Sequence, residues 1–122
     1  MEVWQKSRIL VNGIYRATKN SLFSKDIVLC RQIHKAAISV SSNIAEGFER
    51  GGNREFLNFL SIVKGSTGEL KSQLYIALDQ GYADEADFKG LMKIVTDITY
   101  MIGGLMRYMN QSGMKGSKFK KG

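Results

Sequence analysis

The stretch FKGLMKIVTDITYMIGGLMRYM, residues 88–109, decides the class of the fold. Phe88, Leu91, Val95, Ile98, Ile102, Leu105 and Met109 recur at alternating spacings of three and four, which is one stripe along an α-helix. Upstream, Phe56, Leu60, Val63, Thr67, Leu70, Leu74 and Ala77 repeat the pattern. Before that, Ile27, Cys30, Ala37, Ile44 and Phe48 share a stripe, with Ile33 and Val40 beside it. The first segment is shorter: Trp4, Val11, Ile14 and Tyr15, flanked by Ile9 and Leu10. Strand-like alternation is missing, and the chain has no proline to break a helix interior. These patterns predict an all-α protein.

The residues between the stripes set the boundaries. Ser24 stands where an N-cap would accept a backbone N–H. Gly51-Gly52-Asn53 reads as a turn, with Asn53 a cap for the next helix. Gly81 follows the last periodic residue of its segment, where a left-handed residue ends a helix. Asp84 starts the last helix, with Asp87 in its positive first turn. Helices are expected near Glu2–Lys19, Lys25–Arg50, Arg54–Gln80 and Asp84–Gln111. Short connections make neighbours antiparallel, which gives an up-down-up-down four-helix bundle over residues 1–111. Gly65 and Gly68 each cost roughly 1 kcal/mol inside a helix. A turn near Gly52 places them level with Ala36, Ala37 and Ile38, so a close approach of the two backbones is expected there.

The chain has 122 residues, of which 43% are hydrophobic and 24% charged, values of one globular domain. No apolar run is long enough for a membrane span, and the N-terminus lacks the pattern of a signal peptide. One cysteine cannot form an intramolecular disulfide, so a cytoplasmic, membrane-free protein is expected. Lysine and arginine number 18 against 11 acids, a net charge of +7. More than half of that excess lies in residues 112–122, through Lys115, Lys118, Lys120 and Lys121. Gly, Ser and Lys dominate that segment, which is expected to be a basic flexible tail. Within the body, Arg8, Arg16 and Lys19, with Arg31 and Lys35, form basic clusters without neighbouring acids. A solvated face and a phosphate-contacting face are both open readings.

Enzymatic chemistry finds little support. Cys30 and His34 share a helical face, but no second cysteine or histidine completes a metal site, and no cofactor is expected. Asn43, Glu46 and Arg50 form a polar stripe on one helix, and Ser66, Glu69 and Gln73 form one on the next. The expected register keeps Glu46 and Glu69 apart, which favours salt bridges or interface hydrogen bonds over shared acid–base work. Glu69 is expected to pair with His34, Lys35 or Arg31, or with a neighbouring protomer. Trp4, Tyr15, Phe23, Tyr75, Tyr82, Tyr100 and Tyr108 read as core or interface before they read as a base-stacking platform. Apolar residues on a second stripe, among them Val28, Ile38, Leu57, Phe59 and Ile62, point to self-association.

The chain also carries a specific set of strings. These are Trp4-Gln5, Gln32-Ile33, Ala36-Ala37-Ile38-Ser39, Ser42-Asn43-Ile44-Ala45-Glu46-Gly47, Glu55-Phe56 with Phe59-Leu60, and Gly65-Ser66 with Glu69-Leu70. Together they resemble the four-helix bundle proteins encoded by intervening sequences in bacterial 23S ribosomal RNA genes. That group is similar to the accessory variability protein of diversity-generating retroelements. The resemblance covers roughly Val3 to Met109 and departs at Ser24, where the family often has proline. It implies an antiparallel bundle, a ring-shaped homopentamer and no catalytic residues. It places Asn43, Glu46, Gly47, Gly65, Ser66 and Glu69 in the structural motif. The retroelement relatives bind nucleic acid and a reverse transcriptase, so RNA or DNA and a reverse transcriptase or other protein are the partners it implies. Two functions follow: a nucleic-acid-binding oligomer, and a structural or adaptor oligomer that binds a protein.

Overall fold

The computed structural model describes the backbone of residues 1–121 and the side chains of residues 1–111. Four helices follow one another: α1 (Glu2–Ala17), α2 (Ile27–Arg50), α3 (Asn53–Asp79) and α4 (Glu85–Lys121), with a 3-10 turn at Phe23–Lys25. No strand occurs among the described residues. Each helix packs on its chain neighbours and α4 returns against α1, which closes a four-helix bundle. The expected basic tail, residues 112–122, lies outside the residues whose side chains are described.

The stripes of α3 and α4 form the core as read. Leu60, Val63, Leu70 and Ala77 are inaccessible to solvent, as are Val95 and Ile98 of α4. The other two stripes are rotated. In α2 the core face is Ile33, Ala37, Val40 and Ile44, while Ile27 and Phe48 at its two ends are exposed. In α1 the core face is Val3, Ser7, Leu10 and Ile14. Trp4 and Val11 lie half-buried beside it, and Ile9 and Tyr15 are exposed. Large aromatic and β-branched residues on a flank pull a pattern reading toward the seam between helices and away from the bundle axis.

The ends of the helices have definite partners. Gly51 ends α2 at φ +77° and Gly81 follows α3 at φ +75°, a backbone region open to glycine. Asp84 Oδ1 accepts from Asp87 N at 2.8 Å and caps α4. Two expected caps are different. Gly52 occupies the N-cap of α3 and Asn53 is its first helical residue. Asp26, not Ser24, caps α2: its Oδ1 accepts from Leu29 N at 3.0 Å. Ser24 lies in the 3-10 turn, and its hydroxyl donates back to Ser21 O. Burial of Phe23, only 1% exposed, requires that extra turn before α2 can begin. Asp26 Oδ2 also accepts from Tyr82 Oη at 3.1 Å, which joins the start of α2 to the α3–α4 connection.

The close approach of α2 and α3 lies at Gly47. A Cβ there would meet Phe59 Cβ at 3.1 Å and Phe56 Cδ1 at 3.3 Å. Gly65 and Gly68 have nothing within 4 Å of such an atom and are exposed. The expected small-to-small contact with Ala36, Ala37 and Ile38 is therefore not made within the protomer. The register itself is close to expectation, since Ser66 Oγ donates to Ser39 Oγ at 2.8 Å. Gly65 and Gly68 flank that contact on the solvent side of α3.

Candidate nucleic-acid interface

Positions 8, 12 and 16 fall on one side of α1 and carry Arg8, Asn12 and Arg16, and Lys19 follows in the turn just after the helix. All four are exposed. The matching side of α2 brings Arg31 and Lys35, one turn apart and also exposed. His34 fixes how the two helices meet. Its ring stacks on Tyr15 with centroids 4.1 Å apart and planes 3° from parallel. Its Nε2 lies 2.8 Å from Thr18 Oγ1. The Thr18 hydroxyl donates to Tyr15 O, so this contact requires Nε2 to carry a proton and donate. Lys19 is thereby brought level with Arg31, and Arg16 with Lys35. Five of the expected basic residues thus lie along the α1–α2 side, with Arg8 and Arg16 about 12 Å apart on α1 at 1.5 Å per residue and Lys19 just beyond its end.

No ion pair among the described residues ties down this face, and the acid that comes beside it is Asp87, which lines a groove between α1 and α4 together with Arg16. The ion pairs among the described residues are Lys6–Asp97, Arg50–Glu46, Lys89–Glu85 and Lys93–Asp97, and none includes Arg8, Arg16, Lys19, Arg31 or Lys35. The Arg8 guanidinium lies 5.5 Å from the Trp4 ring centroid, a cation–π contact that leaves its charge unpaired. A hollow of about 280 Å³ opens between the helices, lined by Arg8, Val11, Asn12, Ile38, Ser41 and Ser42. A second groove, lined by Ile9, Asn12, Tyr15, Arg16 and Lys19, adjoins it through Asn12. Lys115, Lys118, Lys120 and Lys121 fall outside the residues whose side chains are described.

The motif residues gather on the neighbouring α2–α3 face. Asn43 Nδ2 donates to Ser39 O at 2.8 Å and to Ser39 Oγ at 3.1 Å, and Ser66 reaches the same Ser39 hydroxyl. Gly47 admits Phe56 and Phe59, and Glu46 pairs with Arg50 at 3.2 Å. Glu69 is exposed and makes no ion pair with His34, Lys35 or Arg31 within the protomer, which leaves the expected pairing with a neighbouring protomer. The Ser39–Ser66 register separates Glu46 and Glu69 by about ten residues, about 15 Å of helix axis, too far to share a proton. Gln73 is buried with no hydrogen-bond partner for its Oε1 among the described residues. Exposed Val28, Ile62 and Ile76 border this face.

Cys30 and His34 do not act together. The Cys30 thiol donates to Phe23 O at 3.2 Å, and burial, with the nearby Asp26 charge, pushes its pKa up, away from a reactive thiolate. Burial pushes the His34 pKa below its ordinary value. No cluster of three or more metal-ligating side chains occurs among the described residues. The aromatics are dispersed. Phe23 packs on Tyr82 and Tyr75 on Phe88, while Tyr100 and Tyr108 project from α4. Sequence reasoning missed Thr18, Tyr15 and the serines of the hollow as a unit. Asn12, one turn from Arg8, was the only local signal.

No helix among the described residues is long and apolar enough to cross a membrane. Among curated proteins the sequence finds no match. Among solved structures it is similar to a protein with unknown function from the S23 ribosomal protein family of Bacteroides thetaiotaomicron. The two share 21% identity and a TM-score of 0.78, over 85% of this chain and 97% of that one. That likeness establishes a shared bundle fold. The model of the 23S rRNA-intervening sequence protein family matches residues 1–104, and the chain belongs to that family.

Proposed function

We propose that this protein is a non-enzymatic, homo-oligomeric bundle that binds nucleic acid through its α1–α2 face. The observation that carries the reading is the set of five exposed cations, Arg8, Arg16, Lys19, Arg31 and Lys35, without an acidic partner. Such a surface attracts polyanions and releases their counterions on contact. Four further lysines in residues 112–122 add to the attraction. Nothing on the face resembles a base-reading helix, so sequence preference should be slight.

Retardation of RNA and DNA at about 50 mM salt, where screening is weak, tests the reading. Log affinity should fall linearly with log salt, by about 0.7 per contacted phosphate on a single strand. Arg16→Gln with Lys19→Gln should lower that slope by about 1.4. A wild-type protein that retards neither RNA nor DNA would overturn it. The second reading, a protein-binding adaptor, rests on the α2–α3 face, with exposed Val28, Ile62 and Ile76 beside Gln73, whose buried Oε1 has no partner among the described residues. The same face suits self-association, and the homopentamer implied by the family resemblance is proposed on that basis. Light scattering that returns a monomer at micromolar concentration would count against it.

A further inference from the structure

We infer that the hollow between α1 and α2 is a subsite for one nucleotide of a single strand, with its phosphate held by Arg8, Asn12 and Ser42. The inference rests on the nucleic-acid reading and deepens it from a charged surface to a shaped site. Four polar side chains converge on the hollow: Arg8 and Asn12 from α1, Ser41 and Ser42 from α2. None of them hydrogen-bonds another protein group among the described residues. Helical serine hydroxyls either stay open, as that of exposed Ser72 in α3 does, or bond back to a carbonyl one turn earlier. Ser61 does so to Leu57 O and Thr99 to Val95 O. Ser41 and Ser42 leave their donors open toward the same space as a guanidinium.

The donor set matches a phosphodiester. A guanidinium presents a planar fork to two phosphate oxygens, and hydroxyl and amide donors complete the shell. Val11 and Ile38 supply an apolar wall on which a sugar or base edge can rest. The hollow, about 280 Å³, is of nucleotide size. A recess between two parallel rods accepts a nucleotide splayed from a flexible strand. A rigid duplex presents phosphates on a convex surface and cannot insert its bases there. From the hollow the surface continues through Asn12 to Arg16 and Lys19, which gives the strand a path onward along α1.

Trp4 makes the site observable. It is the chain's single tryptophan, and the Arg8 guanidinium stands over its ring. A phosphate that draws Arg8 into the hollow changes the field at the indole, and so its emission. The full-length protein is titrated with a single-stranded oligouridylate, with a duplex of equal length, with uridine monophosphate and with inorganic phosphate. The single strand should produce a saturable change in Trp4 emission at the lowest concentration. Arg8→Lys keeps the charge and loses the fork, and should weaken single-strand binding by about tenfold. Ser42→Ala should weaken it severalfold. Lys19→Gln should reduce the salt slope by about 0.7 and preserve the emission change. Circular dichroism checks that the variants, all at exposed positions, remain folded.

If wild-type protein binds strands but Trp4 emission is constant and Arg8→Lys binds as tightly, the subsite is overturned and the charged face stands. An equal emission response to duplex or to inorganic phosphate overturns the assignment to a single strand. Failure of wild-type protein to bind any of the polymers removes both.

Discussion

Two glycines on facing helices have opposite roles. Gly47 of α2 is buried where Phe56 and Phe59 of α3 cross it, and a methyl group would press on Phe59 Cβ, an atom close to its backbone. Gly47→Ala should therefore destabilise the protein by about 1–3 kcal/mol in urea unfolding, the range of overpacked cores. Gly68 is exposed, has a helical backbone and would meet nothing. Gly68→Ala should stabilise by up to about 1 kcal/mol in the same assay, the difference in helix propensity. His34 gives a pH dependence. Burial holds its folded pKa below the ordinary 6.5, so the unfolded chain binds more protons in the interval below that value. The stability contribution is present above 6.5 and is lost as pH falls through the folded pKa. Melting temperature should fall on acidification below pH 6.5, and His34→Gln should flatten that limb.

At the scale of the elements, helix number, order and most boundaries were legible because apolar spacing reports the period directly. The stripes of α3 and α4 were legible residue by residue, since Leu60, Val63, Leu70, Val95 and Ile98 face the axis. The rotation of α1 was not, because Trp4 lies half-buried on the flank of the core and Tyr15 stacks on His34 of α2, and only a partner's position distinguishes a seam from a core. The cap of α2 was obscured by competition between Ser24 and Asp26, two good capping residues two positions apart. Burial of Phe23 and the Tyr82 hydroxyl decide for Asp26, and both are tertiary facts. Asp26→Ala should cost about 1–2 kcal/mol in chemical denaturation, whereas Ser24→Ala should be near neutral. The five cations of the candidate interface were legible as residue types. Their union on one face depended on the register that His34, Tyr15 and Thr18 set. The hollow beside Arg8 depends on both helices, and neither sequence segment shows it alone.

At the scale of the whole molecule, five cations without an ion pair among the described residues, Arg8, Arg16, Lys19, Arg31 and Lys35, lie on α1, the turn after it and α2, while Asp84, Glu85 and Asp87 cluster at the start of α4, where Asp87 shares a groove with Arg16. Like charges repel across the basic face, so moderate salt should raise the melting temperature of the free protein and weaken its complexes with nucleic acid. A scanning calorimetry series in sodium chloride, with and without RNA, would show the two opposed trends. The bond from Tyr82 to Asp26 spans 56 residues and places one carboxylate in two structures at once. Neither the α1–α2 half nor the α3–α4 half can complete it alone. In amide hydrogen exchange, the Leu29 N–H, held by the same carboxylate, should open together with the amides of Tyr82 and Ala83 as one cooperative unit. Tyr82→Phe should speed exchange at Leu29, a site on another helix, before it changes the exchange of the central residues of α2.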